Sequence, residues 1–104
     1  MNCPIVFAHP EPSSFNAALK DRAVRELEGM GHAVIVSDLY RIGCNAALGL
    51  ADFEGGRDRA DYLDLSREQE HAFANHCLSA DVVAEEAKAP AADFVPFQFP
   101  VWWF

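Results

Sequence analysis

Positive charge is scarce in this sequence: 8 lysines and arginines stand against 16 acidic residues, for a formal net charge of −8. Such a field repels nucleic acid and anionic lipid surfaces, which argues against both as partners. Long apolar runs are missing too. None approaches the roughly 20 residues of a membrane helix, and the N-terminus lacks the basic and apolar stretches of a secretion signal. The expectation is a cytoplasmic chain with no membrane partner. Cysteine is sparse: Cys3, Cys44 and Cys77 are widely spaced and form no Cys-x-x-Cys pair, so neither a disulfide framework nor a zinc knuckle is suggested. His71 and His76 are five apart, whereas two ligands on one helical face stand three or four apart. No metal site is expected. The Gly-x-Gly-x-x-Gly and Walker fingerprints are also absent.

What the chain does have is apolar content. At 51% hydrophobic and 12% aromatic residues it is too apolar for a disordered segment, and a chain of this length buries roughly two-thirds of its unfolded surface. It reads as a single globular domain over residues 1–104. Ile5 to Ala8 is a short run of β-formers, too short for a helix and suited to a strand covered on both faces. Pro4 stands at its start, where a missing N–H is tolerated. His9-Pro10-Glu11-Pro12-Ser13-Ser14 then breaks the strand, and its serines can cap a following helix.

From Phe15 to about Met30 the apolar positions Phe15, Ala18, Leu19, Ala23, Leu27 and Met30 recur at helical spacing, with Lys20, Asp21, Arg25 and Glu28 on the other face. Gly29 and Gly31 are stop signals. Ala33-Val34-Ile35-Val36 follows as a second buried strand. Strand, helix, strand with short connections is the pattern of a right-handed crossover in a parallel sheet, so the fold class is α/β.

Ser37 to about Leu65 reads as a long exposed excursion interrupted by glycines. Ser66-Arg67-Glu68-Gln69 has capping-box form and predicts a helix to about Asn75. Ser79 is placed to cap another helix, running through Asp81 to Lys88 and ended by Pro90. Phe94 to Phe99 is the third predicted strand.

In an open α/β sheet, ligands bind beyond the carboxyl ends of the strands where the strand order reverses. Two loops qualify: His9 to Phe15, leading into a helix N-terminus suited to a phosphate, and Pro100 to Phe104, which is aromatic. A ligand with a phosphate at one end and a flat ring at the other fits that pair, and flavin nucleotides have this shape.

Ala8-His9-Pro10-Glu11-Pro12-Ser13-Ser14-Phe15-Asn16-Ala17-Ala18-Leu19-Lys20 resembles the first flavin-binding loop and helix of the flavin-dependent NAD(P)H:quinone oxidoreductases, the DT-diaphorases and their bacterial relatives. Val36-Ser37-Asp38-Leu39-Tyr40 is similar to that family's second strand and its exit. Leu78-Ser79-Ala80-Asp81-Val82-Val83-Ala84-Glu85-Glu86 is similar to the helix before the third strand, and Phe97-Gln98-Phe99-Pro100-Val101-Trp102-Trp103-Phe104 to the third-strand motif.

The resemblance implies a flavodoxin-like parallel sheet with helices on both faces, truncated after the third strand, so that the chain is the N-terminal part of an incomplete domain. It implies that His9, Phe15 and Asn16 contact the phosphate and ribose of the flavin. Val101, Trp102, Trp103 and Phe104 would lie along its ring, with Trp103 and Phe104 also walling the pocket shared by nicotinamide and quinone. FAD is the implied cofactor, with FMN an alternative, NAD(P)H the cosubstrate, a quinone the acceptor, and a homodimer the expected state of the full-length family. No catalytic residue falls within the chain, because the Tyr and His assigned to hydride transfer lie in later parts of the family's sequence. Pro96 departs from the family, which has an aliphatic residue there. Leu63 falls near a polar flavin contact of the relatives.

Two other readings compete. One is a noncatalytic fragment that binds flavin weakly or self-associates through its third-strand edge and aromatic tail. The other, a phosphoacceptor signalling domain, needs paired acidic residues after the first strand and an Asp after the third, where this chain has Ala8-His9 and Pro100.

Overall fold

The computed structural model describes residues 1–55 and 62–102. They form two compact units, one of Met1–Cys44 with the segment from Ala87 onward, the other Asn45–Glu86. The first unit holds β1 (Asn2–Phe7), α1 (Phe15–Gly29), β2 (Ala33–Asp38) and, late in the chain, the two-residue β3 (Phe97–Gln98). All pairing is parallel and the order is β2-β1-β3, with the first strand central as in a flavodoxin-like sheet.

β1 is longer than the apolar run suggests, because pairing extends back to Asn2↔Ala33. Cys3, Ile5 and Phe7 alternate on one face and are almost wholly buried. Phe7 lies beneath Lys20 of α1, so this is the face that the helix covers. Each such buried side chain as Ile5 or Phe7 is worth roughly 1.5–3 kcal/mol of transfer free energy.

α1 packs in a different phase from the predicted stripe. Ala17 is its buried residue, and Lys20, Ala23, Val24 and Leu27 are half-buried, while Phe15, Leu19 and Met30 face solvent. A helix lying close on a sheet needs a small side chain at the contact, and Ala17 supplies it. Lys20 lays its stem on the apolar surface. The helix ends where Gly31 takes φ +85°, a left-handed conformation that glycine adopts without steric cost.

β2 is not the buried strand expected. It is an edge strand, and Ala33 and Ile35 lie on the face away from α1, with Ile35 58% exposed.

The third strand is shorter than Phe94–Phe99, and the backbone gives the reason. Even-numbered residues of β1 turn their polar groups toward β3: the Val6 amide donates to the Pro96 carbonyl at 2.9 Å and the Ala8 amide to the Gln98 carbonyl at 3.0 Å. In the same register the next bonds toward the N-terminus would run from Pro4 N to the carbonyl of Phe94 and from Pro96 N to the carbonyl of Pro4. Neither proline has an N–H. Pro4 thus stands inside β1 rather than at its start, and it is tolerated because its bare nitrogen faces the side where β3 has not begun. Asn2 resumes contact beyond the gap, its amide donating to Asp93 Oδ2 at 2.7 Å.

In the second unit, the predicted excursion is partly folded. A 3-10 turn at Leu50–Asp52 is followed by Phe53, bridged antiparallel to Leu78, and both Asp52 and Phe53 are buried. α2 (Leu65–Asn75) begins earlier than the capping box suggests. Its cap is Asp64, whose carboxylate accepts from the Arg67 amide, leaving Ser66 inside the first turn. A carboxylate also gains from the helix dipole, which a hydroxyl does not. α3 (Ala80–Glu86) stops before Lys88. Ser79 stands at its start, with its carbonyl accepting from Val83, but its buried hydroxyl makes no cap bond. Among the described residues no helix is long and apolar enough to cross a membrane, and no group of three or more His, Cys, Asp or Glu could hold a metal ion.

Two measurements check these assignments. Asp64→Ala is expected to lower stability by about 1 kcal/mol in urea denaturation, with Ser66→Ala nearly neutral; the reverse ranking would restore Ser66 as the cap. Pro96→Val supplies the missing donor, and its new amide should be as protected from hydrogen exchange as that of Val6. Exchange at the rate of an open amide would show that something other than the prolines stops the ladder.

Candidate functional site

The loop between β1 and α1 is held by bonds within itself. The Glu11 amide donates to His9 Nδ1 at 3.0 Å, the Ser13 amide to Glu11 Oε1 at 2.8 Å, and the Ser14 amide to the Glu11 carbonyl at 3.1 Å. Ser14 caps α1: its hydroxyl accepts from Ala17 N at 3.0 Å and its carbonyl from Ala18 N at 3.0 Å. That leaves the amides of Phe15 and Asn16, first and second in the helix, without intrahelical acceptors, at the positive end of the helix dipole.

The turn also fixes the chemistry of His9. Because Nδ1 accepts a backbone hydrogen bond, the neutral imidazole carries its proton on Nε2 and presents an N–H donor there. The ring itself meets Trp102 edge to face, with centroids 5.7 Å apart and planes at 67°. Such contacts are worth about 0.5–1.5 kcal/mol.

A second tie joins the two loops. Gln98 is the register partner of Phe7, so its side chain lies on the α1 face, and its Nε2 donates to Asn16 Oδ1 at 2.6 Å. Gln98 carried no special weight in the sequence reading. It lies 82 residues from Asn16, and only the strand register brings them together.

The residues singled out from sequence therefore divide. His9 and Trp102 are in contact, Asn16 is tied to Gln98, and both ties join the segment that follows β1 to the segment that carries β3. Phe15 and Val101 are 76% and 73% exposed; Phe15 is not core, and its ring is free for a ligand or partner. Trp103 and Phe104 lie outside the described residues. Asp38 caps the turn after β2, its carboxylate accepting from the Arg41 amide at 3.2 Å.

On the other side of His9, a cleft of about 560 Å³ lies between Phe7, Lys20, Asp38, Tyr40 and Arg41. The Lys20 ammonium sits 5.3 Å from the Phe7 ring centroid and is paired with Asp21. The sequence reading set Lys20 on the polar face of α1 and so did not mark this cleft.

Comparison with known proteins bears on the family and the fold. A family profile described as flavodoxin-like fold matches residues 1–104. A ribosyldihydronicotinamide dehydrogenase-like protein of Penicillium crustosum is 46% identical over 104 residues, covering 100% of this chain and 39% of the relative. The rat NAD(P)H dehydrogenase [quinone] 1 is 41% identical over 100 residues, covering 96% of this chain and 36% of the relative. Among solved structures, a provisionally assigned quinone reductase from Klebsiella pneumoniae superposes with a TM-score of 0.90 at 44% identity, over 99% of this chain and 39% of that one. The chain thus spans about two-fifths of the length of the proteins it matches.

The tautomer of His9 can be read directly. Long-range proton–nitrogen correlation of the labelled protein is expected to show neutral His9 protonated at Nε2. A proton on Nδ1 instead would remove this donor from the site.

Proposed function

Because the chain belongs to the flavodoxin-like fold family, we propose that it holds a flavin nucleotide between the loops that follow β1 and β3, in the service of two-electron transfer from NAD(P)H to a quinone. The observation that carries this reading is the meeting of two unlike groups at one crevice: neutral donors at the start of α1, and the Trp102 ring against His9. A phosphate calls for the first and a flat ring for the second.

The residues fit such a ligand. The amides of Phe15 and Asn16 would hold the phosphate together with the Nε2–H of His9 and the side chain of Asn16. Phe15, Val101 and Trp102 are exposed apolar surfaces suited to the ribose and ring. By the family resemblance, Trp103 and Phe104 complete the ring contact and wall the pocket for nicotinamide and quinone. The bound flavin would supply reversible acceptance of two electrons as hydride. The chain's own contribution is to fix the nucleotide's ends and to keep water from one face of the ring. FAD is favoured over FMN by the likeness of Ser79 to Glu85 to the FAD-using branch, and a cytoplasmic homodimer is the expected working form of the longer protein.

A second reading has its own support. Phe97, Phe99, Val101 and Trp102 are all exposed beside the β3 edge, which supports a noncatalytic chain that binds flavin weakly or self-associates through that edge.

The deciding experiment is visible absorbance of the purified chain after incubation with FAD or FMN and desalting. Retention near one flavin per chain is expected, followed by NAD(P)H-driven quinone reduction when the longer protein is assayed. A folded chain that retains no flavin, and whose sedimentation shows concentration-dependent association, would replace the first reading with the second.

A further inference from the structure

An asparagine side chain is two-faced: its Oδ1 accepts and its Nδ2 donates, and the two ends occupy nearly the same volume. At the start of α1 the difference decides whether Asn16 attracts or repels an anion. Gln98 settles it. Its Nε2 donates to Asn16 Oδ1 at 2.6 Å, which occupies the acceptor end and leaves the Nδ2 hydrogens as the end available to a ligand.

The orientation is imposed from a distance. Gln98 reaches α1 only because it pairs with Phe7 in the β1–β3 register, anchored by the Ala8 amide on its carbonyl at 3.0 Å. A slip of one residue would turn Phe97 or Phe99 toward the helix and leave Asn16 free to rotate. Asn16 and Gln98 are both half-buried, so bulk water competes poorly for either amide.

We propose that Gln98 is a positioning residue that holds Asn16 with its amide donor toward the phosphate of the nucleotide. This rests on the reading of the crevice as a flavin site. Gln98 itself touches neither phosphate nor ring in this role; it acts through Asn16.

A double-mutant cycle on the whole chain tests it, with FMN and riboflavin titrated by flavin fluorescence. Gln98→Met keeps the size and removes the hydrogen bond without adding charge. With Asn16 present, it is expected to weaken FMN about five- to tenfold while leaving riboflavin, which has no phosphate, within about twofold. In an Asn16→Ala background the same change should weaken FMN by less than about twofold, because the residue through which Gln98 acts is gone. Equal losses for FMN and riboflavin, or the same loss with and without Asn16, would overturn the proposal and assign Gln98 a structural role. If the unsubstituted chain binds neither flavin, the flavin reading fails first and this inference falls with it. Should Gln98→Met unfold the chain, the unsubstituted protein still decides: scalar coupling across the hydrogen bond from Gln98 Nε2 to Asn16 Cγ is expected, and coupling in the opposite sense would refute the assignment.

Discussion

β1 must satisfy two neighbours with one backbone, and it does so by alternation. Odd-numbered residues turn their amides and carbonyls toward β2 and even-numbered residues toward β3. Proline at position 4 removes a donor from the even series alone, so pairing with β2 runs the whole length from Asn2↔Ala33 to Phe7↔Asp38, whereas pairing with β3 is confined to Val6↔Phe97 and Phe7↔Gln98. Pro96 removes the reciprocal donor. A single proline would have left one bond missing from a continuous ladder; two prolines on facing strands remove consecutive bonds, and the strand ends there.

The crevice lies on this weaker side, which alters what holds it together. Few backbone bonds join β1 to β3, so the side-chain ties at their ends count for proportionately more. The edge-to-face contact of His9 with Trp102 and the Gln98–Asn16 hydrogen bond are each worth about 0.5–1.5 kcal/mol by type, comparable with the ladder bonds the prolines remove. Both connect the loop after β1, or the helix it leads into, with the segment that carries β3. Residues placed to meet a ligand are therefore also residues that fix the local geometry, and disturbing one disturbs both roles.

Much of this architecture is legible in the residues. The apolar runs at Ile5 and Val34, the periodic segment after Ser14 and the serine cap itself give strand, helix, strand without further information. Most of the failures share a cause, in that they depend on a partner remote in sequence, the cap of α2 being the local exception. Hydropathy assigns Phe15 and Leu19 to the core of α1, but the distance between helix and sheet selects Ala17 and the stem of Lys20. Asp64 and Ser66 are both good caps two residues apart, and the same helical phase serves either. Phe94 to Phe99 has the composition of a strand, yet a strand needs donors opposite its acceptors, and that depends on Pro4. Gln98 sits in plain view within a recognisable motif, but its meaning is a contact with Asn16 that only the sheet register creates.

As the phosphate site proposed above, the start of α1 would rely on neutral dipoles rather than on a basic side chain. The chain carries a net charge of −8, and the stretch from His9 to Asn16 contains no lysine or arginine but does contain Glu11. That carboxylate is engaged within the loop, where Oε1 accepts the Ser13 amide at 2.8 Å. On the reading proposed above, the groups that would face an anion are neutral dipoles: two backbone amides, the imidazole N–H of His9 and the carboxamide N–H of Asn16. Dipoles attract only at short range and in the right orientation, whereas a lysine attracts any anion from any direction. A site built from oriented dipoles on an acidic protein therefore gains little from long-range steering and depends on fit, which gives the orientation of each donor, and of Asn16 above all, more influence than its modest energy would suggest.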